Sequence, residues 1–189
     1  MTKAIPREAH FAEGTIFTVG HSTLPIDRFI ALLQAYGIQR LADIRTVPRS
    51  RHNPQFNAAA LADSLAAERI EYLPMPALGG LRRARKDSPN TGWRNASFRG
   101  YADYMQSTEF RDAVEALIRL GRQKRVAIMC AEAVPWRCHR SLVADALDVR
   151  GVPVIEILSE RDYRPHELTP FARIEGASIT YPPDQAALF

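Results

Sequence analysis

Short apolar runs of strand length alternate with amphipathic stretches of helical period from Thr15 to Leu158, and this alternation limits the fold more than any other feature. "TIFTVG" reads as a first strand. In "PIDRFIALLQAYG" the side chains of Phe29, Ile30 and Leu33 share one helical face, with Pro25 near the start and Gly37 as the stop. "IQRLADIRTV" gives a second strand, residues 57–68 a helix, and "IEYLPM" a short strand running into "ALGG". Phe110, Val114, Leu117 and Ile118 fall at i, i+4, i+7 and i+8 of a longer helix, and "RVAIMC" follows as a buried strand. "SLVADALDVRG" is a helix closed by Gly151, and "VPVIEIL" is the last core strand. Strand and helix in turn call for βαβ units. The expected architecture is therefore α/β: one domain of three layers, a mostly parallel central sheet with helices on both faces. Residues 1–14 read as an N-terminal extension, 15–175 as the domain and 176–189 as a tail, with the chain Pro-rich and irregular after the last core strand.

A chain of 189 residues buries a full core without disulfides or metals. No apolar run approaches the roughly 18 residues of a membrane span, and the N-terminus lacks the apolar stretch of a signal peptide, so a cytoplasmic location is expected. In that reducing compartment the two cysteines are expected to serve reactivity, ligation or burial rather than a disulfide. The net charge of +4 hides an asymmetry: 19 basic residues face 12 acidic ones up to position 125, and 6 face 9 thereafter. The excess lies in two loop-like segments. "RTVPRSRH" carries Arg45, Arg49 and Arg51; "LRRARKDSPNTGWRNASFR" carries Arg82, Arg83, Arg85, Lys86 and Arg94 beside Trp93 and Phe98. These segments read either as solvated surface or as a footprint for a nucleic acid or nucleotide.

In an open α/β sheet, ligands bind outside the carboxyl ends of the strands. Here those ends carry Gly20, His21 and Ser22; Asp43, Arg45 and Ser50; Gly79 and Gly80; and Cys130 with Glu132. Each cluster alone is explained by turn-making glycines and helix caps. Four together point to a site.

"CAEAVPWRCHRS" holds both cysteines. Cys130 is placed at a strand tip, and Cys138, His139 and Arg140 at or just before a helix N-terminus, where amides and the helix dipole favour an anion. With Arg137, Arg140 and His139 nearby, Cys138 is expected to be the more acidic thiol and the better nucleophile, ahead of Cys130. Glu132, His139, His21 and Asp43 are the acid–base candidates, and Arg45, Arg137 and Arg140 the phosphate holders. No cofactor is expected. Zinc or iron is the weaker alternative: eight positions separate the cysteines, no CxxC occurs, adjacent Cys138 and His139 do not easily face one ion, and the set that remains is Cys130, Cys138 and His21.

"TVGHS", "DIRTVPRSR", "LGGLR", "FRGYADYM", "CAE" with "CHR", and "HELTPFA" together resemble the bacterial and archaeal domain of unknown function 488 family over roughly residues 15–182. The resemblance implies a three-layer α/β fold and little biochemistry. It also implies motif roles for Gly20, His21, Ser22, Asp43, Arg45, Pro48, Ser50, Gly79, Gly80, Cys130, Glu132, Cys138, His139 and Arg140. At the other end, "QAALF" resembles the pentapeptide by which bacterial repair and replication proteins dock on the sliding clamp, with Gln185, Leu188 and Phe189 as contacts. It reads either so or as apolar packing onto the domain. Three functions stay open: an enzyme of DNA maintenance on nucleic acid or nucleotide, a non-catalytic DNA and clamp adaptor, and a thiol or sulfur-transfer enzyme on a small metabolite.

Overall fold

The computed structural model describes residues 10–183. Five parallel strands, β1 (Ile16–Gly20), β2 (Arg40–Asp43), β3 (Glu71–Pro74), β4 (Val126–Cys130) and β5 (Val154–Ile157), stand in the order β3-β2-β4-β1-β5. A sixth, β6 (Tyr163–Pro165), closes the β5 edge antiparallel. The helices are α1 (Ile26–Ala35), α2 (Ala58–Ala67), α3 (Ala96–Tyr104), α4 (Thr108–Gln123) and α5 (Arg140–Asp148).

The period-two alternation of the strands splits the interior into two cores. On β4, Val126, Ile128 and Cys130 face one core, built with α3, α4 and α5. Ala127 and Met129 face the other, built with Phe29 and Leu33 of α1 and Leu61 and Leu65 of α2. Helices cover both faces, as expected of a three-layer α/β fold. α4 shows the local cause: its buried face is Phe110, Val114, Leu117 and Ile118, and Ser107 caps it by accepting the Phe110 amide at 3.2 Å.

The topology places the site. The chain leaves β1 towards the α1 face and leaves β4, its neighbour, towards the α5 face. Connections that diverge from adjacent strands open a crevice at their carboxyl ends.

Besides β6, which pairs with β5 in a stretch read as irregular, two segments differ from the sequence reading. The second basic loop gives way to α3, which packs through the buried Tyr101 and Ala102 rather than an aliphatic stripe. Near the C-terminus, β7 (Arg173–Glu175) and β8 (Ser178–Thr180) form a hairpin, and Tyr181 after it is fully buried. Ile179 and Tyr181, in the stretch read as the start of a tail, therefore pack into the core of the domain. Gln185, Leu188 and Phe189 lie outside the described residues. No helix among the described residues is long and apolar enough to cross a membrane.

Candidate functional site

The loops after β1, β2 and β4 enclose a cleft of about 760 Å³, whose walls include His21, Ser22, Arg49, Ser50, Phe98 and Arg137. The α4–α5 core meets it at Cys130, Cys138 and His139. β4 delivers Cys130 to the cleft. A turn over Pro135–Arg137 then brings the chain back so that Cys138 and His139 stand at the start of α5.

His139 organises this group. Its Nε2 donates to the Ile44 carbonyl oxygen at 3.1 Å, which turns Nδ1 towards the sulfurs of Cys138 at 3.7 Å and Cys130 at 3.8 Å. All three donor atoms lie within 4.8 Å of one another. The ring also leans on buried Tyr101, centroid to centroid 5.0 Å, and the Tyr101 hydroxyl donates to the Leu78 carbonyl at 2.7 Å. Gly80 passes beside it, where a Cβ would lie 3.0 Å from Nδ1.

The two thiols differ in the direction opposite to that expected. A hydrogen bond from Cys138 holds the Cys130 thiol well below its ordinary range, against burial, with His139 and the Glu132 amide adding to the effect. Cys138, donating that bond and buried, is pushed up; the electrostatic pull of Arg140 and the hydrogen bond of its amide oppose this without reversing it. Helix-start position favours Cys138, but His139 and the Glu132 backbone favour the charge on Cys130, so that sulfur is the one of the pair that gives up its proton. The more acidic sulfur is Cys130.

The expected phosphate holders divide. Arg45 lines the cleft, but Nη2 donates to Asp43 at 2.6 Å and to the Phe56 carbonyl at 2.8 Å, Nε donates to Asp43 at 2.9 Å, and Nη1 reaches His21 Nε2 at 3.2 Å. Asp43 is equally occupied, accepting also from Tyr72 at 2.7 Å and from the Arg45 amide. His21 donates from Nδ1 to the Ser22 carbonyl at 2.8 Å, stacks on Phe56 at 4.0 Å, and is lowered by burial and then by Arg45 against opposing bonds. Both of its nitrogens are taken, and it is not among the groups that converge on the sulfurs. Arg140 is fully buried and braces the loop after β4 through the carbonyls of Glu132 and Ala133. A Cβ at Gly20 would collide with that Glu132 carbonyl, so β1 ends in glycine where the loop crosses it. Arg49 and Arg137 are the cleft cations that remain: both are exposed, and among the described residues neither guanidinium has a partner.

The other residues have plainer places. Glu132 is exposed on the cleft wall, Ser50 Oγ accepts the Asn53 amide in the turn after β2, and Gly79 leaves room for Thr46 Oγ1, 2.5 Å from where its Cβ would be. Of the basic set, Arg82 lies over the Tyr104 ring at 3.6 Å and Arg85 pairs with Asp87, while Arg51, Arg83, Lys86 and Arg94 are exposed. Sequence reasoning gives no role to Tyr101 or Tyr104, although both lie in the "FRGYADYM" motif. Tyr104 donates to the Ala77 carbonyl at 2.6 Å, so α3 fixes the 77–80 turn on which the His139 side of the cleft rests.

The model of the domain of unknown function DUF488 matches residues 25–147, about two thirds of the chain. The chain belongs to this family. The DUF488 match takes in the basic loops, both cysteines and His139; His21 and Ser22 after β1 precede it, and "HELTPFA" follows it. No curated protein and no solved structure matches the chain.

Proposed function

We propose that this DUF488 protein is an enzyme that acts on a phosphate-bearing substrate, a nucleotide or nucleic-acid strand, held in the strand-end cleft with the Cys130–Cys138–His139 group as its reacting centre. The observation that carries the reading is the convergence of two sulfurs and an imidazole nitrogen at a cleft whose uncommitted cations are Arg49 and Arg137. Those two guanidinium groups suit phosphate oxygens, and Val47, Leu81 and Phe98 on the same walls offer apolar surface for a base. Cys130 supplies a charged sulfur where a substrate atom would lie.

The test is binding of a fluorescein-labelled single-stranded oligonucleotide across a salt series. Wild-type affinity falls with salt; Arg49→Ala with Arg137→Ala weakens it about tenfold and flattens the log–log salt slope by about 1.4, the value for two lost phosphate contacts. Unchanged affinity and slope in the double arginine variant would remove the phosphate reading. The "QAALF" ending supports a sliding clamp as partner: clamp binding by calorimetry is expected for the full chain and lost when Gln185 to Phe189 are deleted, and equal binding by both would end that part of the proposal.

A further inference from the structure

We infer that Cys130 Sγ, Cys138 Sγ and His139 Nδ1 form a three-ligand site for a soft divalent cation, zinc above all, with the fourth coordination position open to the cleft. The inference rests on the reading of this cleft as the reacting centre and names the cofactor that centre takes.

The donor geometry is close to what the ion needs. Zn–S and Zn–N bonds of about 2.3 and 2.0–2.1 Å at tetrahedral angles place sulfur and nitrogen about 3.6 Å apart. The two observed separations are 3.7 and 3.8 Å. Two thiolates and one imidazole are also the donor type that selects zinc over magnesium or calcium.

The surroundings are those of a supported site. A ligating histidine is oriented by a hydrogen bond from its other nitrogen, and Nε2 of His139 donates to the Ile44 carbonyl. Gly80 keeps the approach to Nδ1 clear of a side chain. His21, the histidine suggested by sequence, has both nitrogens engaged with Ser22 and Arg45.

Three protein ligands with an open fourth position distinguish catalytic from structural zinc, which closes its shell with a fourth residue. Among the described residues no fourth Cys, His, Asp or Glu joins the group. A water or a substrate oxygen is the ligand the open position admits.

The experiment uses the untagged full-length protein, stripped with chelator and titrated with Co²⁺ and then Zn²⁺. Expected are one metal per chain, tetrahedral cobalt bands with sulfur-to-metal charge transfer, and displacement of cobalt by zinc. Cys130→Ser, Cys138→Ser and His139→Ala each weaken binding by more than the ~10–100-fold that loss of an outer-shell partner costs. His21→Ala keeps the tetrahedral spectrum. Because the wild-type spectrum needs no variant, a variant that misfolds does not blunt the test. Absence of cobalt uptake, an octahedral spectrum without thiolate charge transfer, or a site that survives His139→Ala would overturn the inference. Oligonucleotide binding that still depends on Arg49 and Arg137 would then show that the metal alone had failed.

Discussion

Two histidine-centred groups touch the same helix, α5, one at its start and one through Asp145, and differ in how far their hydrogen-bonding capacity is met. At the start of α5, His139 Nδ1 faces two sulfurs at 3.7 and 3.8 Å beside an open cleft. Further along, Asp145 accepts from His166 Nε2 at 2.8 Å, from the Tyr181 hydroxyl at 2.8 Å and from the Thr169 amide, while His166 Nδ1 meets Glu156 at 3.0 Å. Arg164 completes the second group through Glu156 at 2.7 Å. Both imidazole nitrogens and all four oxygens of the two carboxylates have partners, and the imidazole is almost wholly buried, with its side chain 4% exposed. A closed network of this kind ties the C-terminal segment to α5; a group with a lone pair and two sulfurs left to a cleft is available for chemistry.

The comparison can be broken most forcefully at His166. Replacing it with Ala leaves two buried carboxylates facing each other without their shared cation, and a loss on the order of 3–5 kcal/mol is expected in urea unfolding. His139→Ala removes one hydrogen bond to a carbonyl and is expected to lose only about 1 kcal/mol while abolishing cobalt binding. If the two variants were equally destabilised, the division into a structural and a functional group would not stand.

The second prediction concerns pH. Burial pulls the His166 imidazole down, but its bonds to Asp145 and Glu156 overcome this and lift it from 6.5 to about 9. The folded state therefore keeps a proton that the unfolded chain releases. This contribution, on the order of 3 kcal/mol, is complete below about pH 6.5 and drains away as pH rises through about 9. Urea midpoints at pH 6 and 9.5 should differ for the wild type and much less for His166→Ala. Equal drops in both proteins would place the titrating group elsewhere.

A smaller effect sharpens the cleft side. Tyr101→Phe removes the donor to the buried Leu78 carbonyl, and a loss of about 1–3 kcal/mol is expected. Because that bond holds the turn leading to Gly80, cobalt binding should weaken several-fold as well. Full cobalt affinity in a destabilised Tyr101→Phe would separate the turn from the site.

The layers of the fold were legible because apolar periodicity is a local property. The stripe of Phe110, Val114, Leu117 and Ile118 and the run into Cys130 each report their own element, and the strand ends follow from the α/β order. α3 was not legible. "ASFRGYADY" offers only the short aromatic stripe of Phe98, Tyr101 and Ala102 within a stretch that reads as a basic loop, and the hydroxyls of Tyr101 and Tyr104 fix it through the Leu78 and Ala77 carbonyls, distant in sequence. The C-terminal hairpin escaped for a similar reason: its strands are three residues long, and they are anchored by Tyr181 to Asp145.

At the site, the α/β order of the sequence brings the candidate residues to one end of the sheet but does not give their pairing. The spacing of Cys130 and Cys138 resembles no ligand motif, and only the Pro135–Arg137 turn folds it back on itself. Adjacent Cys138 and His139 converge because the cysteine precedes the helix in extended backbone and the histidine already has helical angles. Arg45 and Arg140 looked like free cations, since nothing local reveals that Asp43 and two loop carbonyls occupy them.

Iodoacetamide labelling of the metal-free wild type, with each cysteine followed separately by peptide mass spectrometry, decides whether Cys130 heads the reacting centre. The account predicts that Cys130 is modified first, that Cys138 follows slowly, and that both zinc and the oligonucleotide protect Cys130. Faster modification of Cys138, or a Cys130 rate that neither ligand changes, would contradict a reacting centre built on these residues at the head of the cleft.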